Sequence, residues 1–181
     1  TEIQTKYNLT FIHPSNDLNV ILGNSTVVSE LIQDHANLDY ILCPIGGGGL
    51  IAGSALACNA YSNKCEIIGV EPLNVNDAYR SLKSKKIEYN LKTDTIADGL
   101  RTNLGDINFP IILDYIKSII CVNEDEIINA MKLIFNKLNI LIEPSSAVAF
   151  AGLLKEKEKF KGKKVGVILS GGNVDSNKLP F

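Results

Sequence analysis

Apolar positions along the chain alternate between unbroken runs and helical spacing. Tyr40–Ile45 (YILCPI) is a continuous run, the pattern of a strand covered on both faces. Glu66–Glu71 (EIIGVE), Ser118–Val122 (SIICV) and Val165–Leu169 (VGVIL) repeat it, with Pro72 stopping the first of these three. Thr10–Ile12 is a short β-prone piece, followed by the turn His13-Pro14-Ser15-Asn16-Asp17. Between the runs the period changes. Val27, Val28, Leu31 and Ile32 fit one helix face, with Asn24 or Ser25 placed to cap it. Leu50, Ile51, Leu56 and the alanines around them predict a tightly packed helix to about Tyr61, and Asn76–Leu82 reads as a further helix. Lys83–Lys92 is basic and irregular, a solvated loop. Asn123 with Glu126 makes a capping box before a helix whose apolar face is Ile127, Met131, Ile134 and Leu138. Pro144–Leu154 predicts the last helix, and Lys157–Lys164 a charged connector. Strand and helix alternate throughout, so the fold class is α/β, a mostly parallel sheet with helices on both faces.

Composition narrows the setting. The 181 residues suit one domain or part of a larger one, and 45% hydrophobic residues suffice for a buried core. A net charge of −2 argues against nucleic acid or an anionic membrane as main partner. Tyr40–Asn63 carries no charge, but Pro44, its glycines, Asn59 and Asn63 mark a strand–loop–helix rather than a membrane span. Cys43, Cys58, Cys65 and Cys121 form no C-x-x-C pair, and only His13 and His35 accompany them. They read as buried, reduced thiols of a cytoplasmic protein rather than a zinc site.

The densest chemical signal is Cys43–Gly53 (CPIGGGGLIAG). A glycine run between a strand and a helix exposes successive N–H groups at the positive end of the helix dipole, an anion site suited to phosphate. Close packing of a tight turn is the plain alternative. A dinucleotide site is another: Gly46 and Gly48 match two positions of G-x-G-x-x-G and Glu71 ends the next strand, but the third glycine position is Ile51. A phosphate cup for pyridoxal phosphate is the third.

Five motifs occur in order: Gly46-Gly47-Gly48-Gly49-Leu50, Glu71-Pro72, Thr95-Ile96-Ala97-Asp98-Gly99-Leu100, Glu143-Pro144-Ser145 and Ser170-Gly171-Gly172-Asn173-Val174-Asp175. In this order they resemble the serine/threonine dehydratase and serine racemase family, fold-type-II enzymes that use pyridoxal 5'-phosphate. The resemblance runs from His13-Pro14 to Leu179-Pro180-Phe181. It implies that residues 1–181 are part of the large cofactor domain, with the upstream S-x-K-x-R-type lysine segment and most of the small domain outside the chain. No catalytic residue is assigned within it, since its lysines cluster mainly in the charged contexts Lys83–Lys86 and Lys155–Lys164.

The same resemblance assigns Gly46, Gly47, Gly48, Gly49 and Leu50 to the cofactor phosphate, Ser170 to the pyridine nitrogen, Gly99 to the space beside the cofactor and Glu143 to a place near the ring. Taken singly, Ser170 also fits a loop serine at a strand end, and Glu143 an acid at a helix start. Glu71-Pro72-Leu73-Asn74-Val75-Asn76-Asp77 resembles the metal loop of the racemase branch, with Glu71 and Asp77 as carboxylate ligands and the Val75 carbonyl as a third, for Mg²⁺ or Ca²⁺. Alternatively Asp77 caps the following helix and Glu71 is a polar strand end. The implied substrate is an amino acid bearing a hydroxyl (serine, threonine or 3-hydroxyaspartate), converted to a 2-oxo acid and ammonia or racemised. The parent is expected to be a homodimer. A non-catalytic remnant binding phosphate or a partner, and an NAD-binding domain, are the competing readings. The segment Ser15-Asn16-Asp17 departs from the family, which carries an acidic pair after His-Pro.

Overall fold

A computed structural model describes residues 2–181. In chain order the elements are α1 (Glu2–Tyr7), α2 (Leu18–Asn24), α3 (Thr26–Asp34), β1 (Tyr40–Pro44), α4 (Gly49–Tyr61), β2 (Glu66–Pro72), α5 (Asp77–Ser84), α6 (Asn108–Tyr115), β3 (Ile119–Val122), α7 (Glu124–Leu138), α8 (Pro144–Lys155) and β4 (Val165–Val167). The four strands form one parallel sheet in the order β3-β2-β1-β4. Leu42 pairs with Ile68 on one side and Val167 on the other, and Val70 pairs with Ile120.

The two-residue alternation of these strands splits the core into two layers. Ile41, Cys43 and Ile45 of the β1 region join Ile67 and Ile119 against α2, α3, α4 and α6. Leu42, Ile68, Val70, Ile120 and Val122 face the other way, against α7 and α8. Both faces are covered, which is why the strands read as unbroken apolar runs. The charge-free stretch 40–63 is β1, its loop and α4; among the described residues no helix is long and apolar enough to cross a membrane.

Several boundaries differ from expectation. Thr10–Ile12 is not a strand: Phe11 is 58% exposed, and β-branched residues without a neighbouring strand form no ladder. The helix predicted around Val27–Ile32 is preceded by a separate one, α2, capped by the Asp17 carboxylate, which accepts from the Asn19 and Val20 N–H groups. Ser25 occupies the N-cap position of α3 but makes no side-chain cap bond; its backbone is αR, and its hydroxyl donates to the Leu22 carbonyl at 2.6 Å. The last strand is shorter than Val165–Leu169, although the Ile168 N–H still donates to Leu42 O at 3.0 Å. Helices α1 and α6 lie where no element is predicted. The Asn123–Glu126 capping box is present, with Asn123 Oδ1 accepting the Glu126 N–H at 2.9 Å and Glu126 Oε2 the Asn123 N–H at 2.8 Å. Leu138, assigned to the apolar face of that helix, is 59% exposed at its end. All four cysteines are free; burial pushes the Cys43 thiol up to about 12, with Ser54 opposing, and Cys121 to about 11.

Candidate functional site

Strand order reverses at β1: β2 and β3 lie on one side of it, β4 on the other. In open α/β sheets such a reversal opens a crevice beyond the carboxyl ends of the strands. A cavity of about 270 Å³ lies there. Its wall includes Gly46, Gly47, Gly48, Gly49, Leu50, Gly99, Glu143 and Ser170, so every residue assigned to the cofactor by resemblance faces one space.

The glycine loop is kept bare on two counts. Its packing is close: a Cβ on Gly46 would stand 2.9 Å from Gly99 O, one on Gly49 would stand 2.9 Å from Ser15 Cα, and one on Gly47 would collide with Ser15 Oγ. Gly48 adopts a left-handed φ of 85°, which side chains other than glycine adopt only with strain. Packing therefore accounts for each glycine, more fully than the sequence suggests. It does not account for the N–H groups. From Gly46 through Ile51 no N–H finds an acceptor among the described residues, although Gly48, Gly49 and Ile51 are buried. Buried donors of this kind require a partner, and at the first turn of α4 the helix dipole favours an anionic one.

The remaining wall is tied together by hydrogen bonds. The Gly99 N–H donates to Ser145 Oγ at 3.0 Å. The Glu143 N–H donates to Gly171 O at 3.2 Å, and Glu143 Oε2 accepts from the Asn173 N–H at 3.0 Å. Glu143 is the N-cap residue of α8, but its side chain binds the 170–173 segment and not the helix. Those bonds hold Ser170 at the end of β4 with its side chain exposed toward the cavity and no hydrogen-bond partner among the described residues. Sequence reasoning gave no site role to Ser15 or Ser145, and none to Asn24 beyond a helix cap, yet all three line the cavity. The segments of Ser15 and Ser145 were marked by the His13-Pro14 turn and the Glu143-Pro144-Ser145 motif, but a single polar residue carries no periodicity to single it out. No lysine lines the cavity.

Glu71, Val75 and Asp77 form a second cluster beside α5. Glu71 is 0% exposed; its Oε1 accepts from the Ala78 N–H at 3.1 Å and its Oε2 from the Tyr79 N–H at 2.8 Å. Glu71 thus caps α5 from the neighbouring strand. Asp77 does not cap its own helix: Oδ1 accepts from Asn90 Nδ2 at 2.6 Å and Oδ2 from the Leu104 N–H at 3.1 Å. Burial raises the pKa of both carboxyls, and Asp77 raises that of Glu71 further, against lowering by their N–H donors and Arg80. Neither forms an ion pair among the described residues. The Val75 carbonyl, buried nearby, accepts no hydrogen bond there either. Two carboxylates and a carbonyl are oxygen donors of the kind a hard divalent cation takes, but no cluster of three or more His, Cys, Asp or Glu able to hold a metal occurs among the described residues. The burial of Glu71 also removes it from the reach of a ribose, against the dinucleotide alternative.

The family model described as pyridoxal-phosphate dependent enzyme matches residues 1–171. The beta-hydroxyaspartate dehydratase of Paracoccus denitrificans is 42% identical over 180 residues, which is 99% of this chain and 57% of that protein. The serine racemase of Dictyostelium discoideum is 43% identical over 178 residues, 96% of this chain and 55% of that protein. The crystal structure of the Dictyostelium serine racemase superposes with a TM-score of 0.89, 43% identity and coverage of 96% of this chain and 57% of that chain. The maize serine racemase structure gives a TM-score of 0.93 at 38% identity, covering 97% of this chain and 55% of that chain. The chain spans about half the length of the curated relatives it matches. Its parallel sheet, its glycine cup at the reversal of strand order and a match from residue 1 to residue 171 agree: the chain belongs to the family of pyridoxal-phosphate dependent enzymes.

Proposed function

We propose that this chain supplies the phosphate cup and a divalent-cation site of an enzyme acting on a small amino acid with a β-hydroxyl, by ammonia elimination or racemisation. Serine, threonine and 3-hydroxyaspartate are the candidate substrates, and a homodimer is the proposed assembly. The observation that carries the reading is the set of backbone N–H groups from Gly46 to Ile51, without acceptors among the described residues, on the wall of one cavity with Ser170, Glu143 and Gly99. The dehydratase and racemase names of the relatives support the substrate class.

Bound pyridoxal phosphate would supply an electron sink that stabilises negative charge at the substrate α-carbon. The Gly46–Leu50 N–H groups would hold its phosphate by charge-assisted hydrogen bonds. The Ser170 hydroxyl would serve as a neutral partner for the pyridine nitrogen, one that does not oblige that nitrogen to stay protonated. Gly99 leaves the neighbouring space open, and Glu143 holds the segment that carries Ser170. Glu71, Asp77 and the Val75 carbonyl would hold Mg²⁺ or Ca²⁺, whose charge would offset the repulsion between the two buried carboxylates.

Titration of the purified protein with pyridoxal phosphate, inorganic phosphate and NAD, followed by tyrosine fluorescence and phosphorus NMR, tests the reading. The expected result is saturable binding of pyridoxal phosphate that inorganic phosphate displaces and NAD does not match. Binding of NAD in preference to pyridoxal phosphate, or binding of neither, overturns it.

A further inference from the structure

The glycine cup is held from behind by one buried side chain. Asn108, the first residue of α6, is 0% exposed and does not line the cavity. Its Nδ2 donates to Gly47 O at 2.7 Å and to Ser15 O at 3.0 Å, while its Oδ1 accepts the Gly105 N–H at 3.1 Å. Only this orientation of the amide satisfies two acceptors and one donor together. The Asn108 N–H in turn donates to Asn16 Oδ1 at 3.3 Å, beside the Ile107 N–H at 2.9 Å, so the 15–16 turn, the glycine loop and the start of α6 form one network.

We propose that Asn108 is a positioning residue for the anion site, one that sets the direction of the Gly48 N–H through the Gly47 carbonyl. The proposal rests on the phosphate-cup reading. The C=O and N–H of a trans peptide unit point in opposite directions. Drawing the Gly47 carbonyl toward Asn108 therefore turns the Gly48 N–H away from it, to the side of the loop where the cavity lies. The left-handed φ of 85° at Gly48 lets that N–H join its neighbours in a concave, anion-binding arrangement. Without the amide, the Gly47–Gly48 peptide is free to rotate, and the cup loses its order before it meets the anion.

The test compares wild type with Asn108→Ala and the isosteric Asn108→Asp, using pyridoxal phosphate and inorganic phosphate as probes. Asn108→Ala is expected to weaken both about tenfold or more, with little change in the far-UV spectrum. Asn108→Asp sets carboxylate oxygens against two carbonyls. Its affinity is expected to recover relative to Asn108→Ala as the pH falls and the carboxyl regains a proton, a dependence that loss of packing would not produce. In the wild type, the Asn108 side-chain amide protons are expected to exchange slowly with solvent, and the Gly48 N–H to show one of the largest shifts on phosphate binding. That measurement decides the matter even where a variant does not fold. Failure of the wild type to bind either probe overturns the cup itself. Wild-type binding with unchanged affinity in the variants, or fast exchange of the Asn108 amide, overturns the role of Asn108 alone.

Discussion

At the scale of single residues, Glu71 and Asp77 impose a testable cost. Each is removed from water, and each of their carboxylate oxygens accepts one N–H, which leaves a lone pair on every oxygen. A carboxyl whose native pKa lies above its unfolded value favours folding when protonated. The stabilising contribution is complete below the ordinary carboxylate pKa of about 4 and is lost as pH rises through the raised native value. The metal-free protein is therefore expected to gain stability from this pair on going from neutral to mildly acid pH. Magnesium or calcium ions are expected to stabilise it at neutral pH, where both carboxylates are charged. Asp77→Asn removes one charge while keeping the shape, and should flatten the pH slope and abolish the cation response in thermal melts. A variant that keeps both would remove this pair as their source. The pair was legible because Glu71-Pro72 and Asp77 fall in a recognisable order. The capping of α5 by Glu71 was not, since it depends on where a loop returns the helix start to the strand.

The same contrast governs whole elements. Helix α7 was readable because its cap, its first acidic turn and its apolar face all lie within one window of sequence. Removing the reciprocal hydrogen bonds by Asn123→Ala is expected to cost about 1 kcal/mol, a fall of roughly 2–4 °C in melting temperature for a chain of this size. An unchanged melting temperature would show that the Glu126 contact with Lys155 at 3.1 Å holds the helix start without the box. Helix α6 escaped notice because Pro110 interrupts an apolar run. The proline sits in the first helical turn, where a missing N–H is tolerated best. Helix α2 was hidden because Asn24 and Ser25 read as caps of the following helix, whereas Asn24 ends seven helical residues that start from the cap supplied by Asp17. Local signals of this kind mislead when the decisive partner is distant in sequence, as when Asn16 accepts from Ile107 and Asn108.

For the whole molecule, the cavity joins elements that pack on opposite faces of the sheet. The glycine loop leads into α4, which packs on one face with α2, α3 and α6; Glu143 and Ser145 open α8, which packs on the other. Ser170 follows β4, on the far side of the reversal in strand order. An anionic cofactor held by the loop and touched by Ser170 would therefore brace both core layers at once. Linkage gives the size of the effect: a ligand at a hundred times its dissociation constant adds about 2.7 kcal/mol, roughly 5–10 °C in a protein of this length. Hydrogen exchange sharpens the expectation. Pyridoxal phosphate should slow exchange at the start of α4, at the start of α8 and around Ser170, because all three contribute residues to the cavity wall. Inorganic phosphate, which has no ring to reach Ser170, should slow only the first. Equal protection by both ligands would confine binding to the glycine loop and leave Ser170 and Glu143 outside the site.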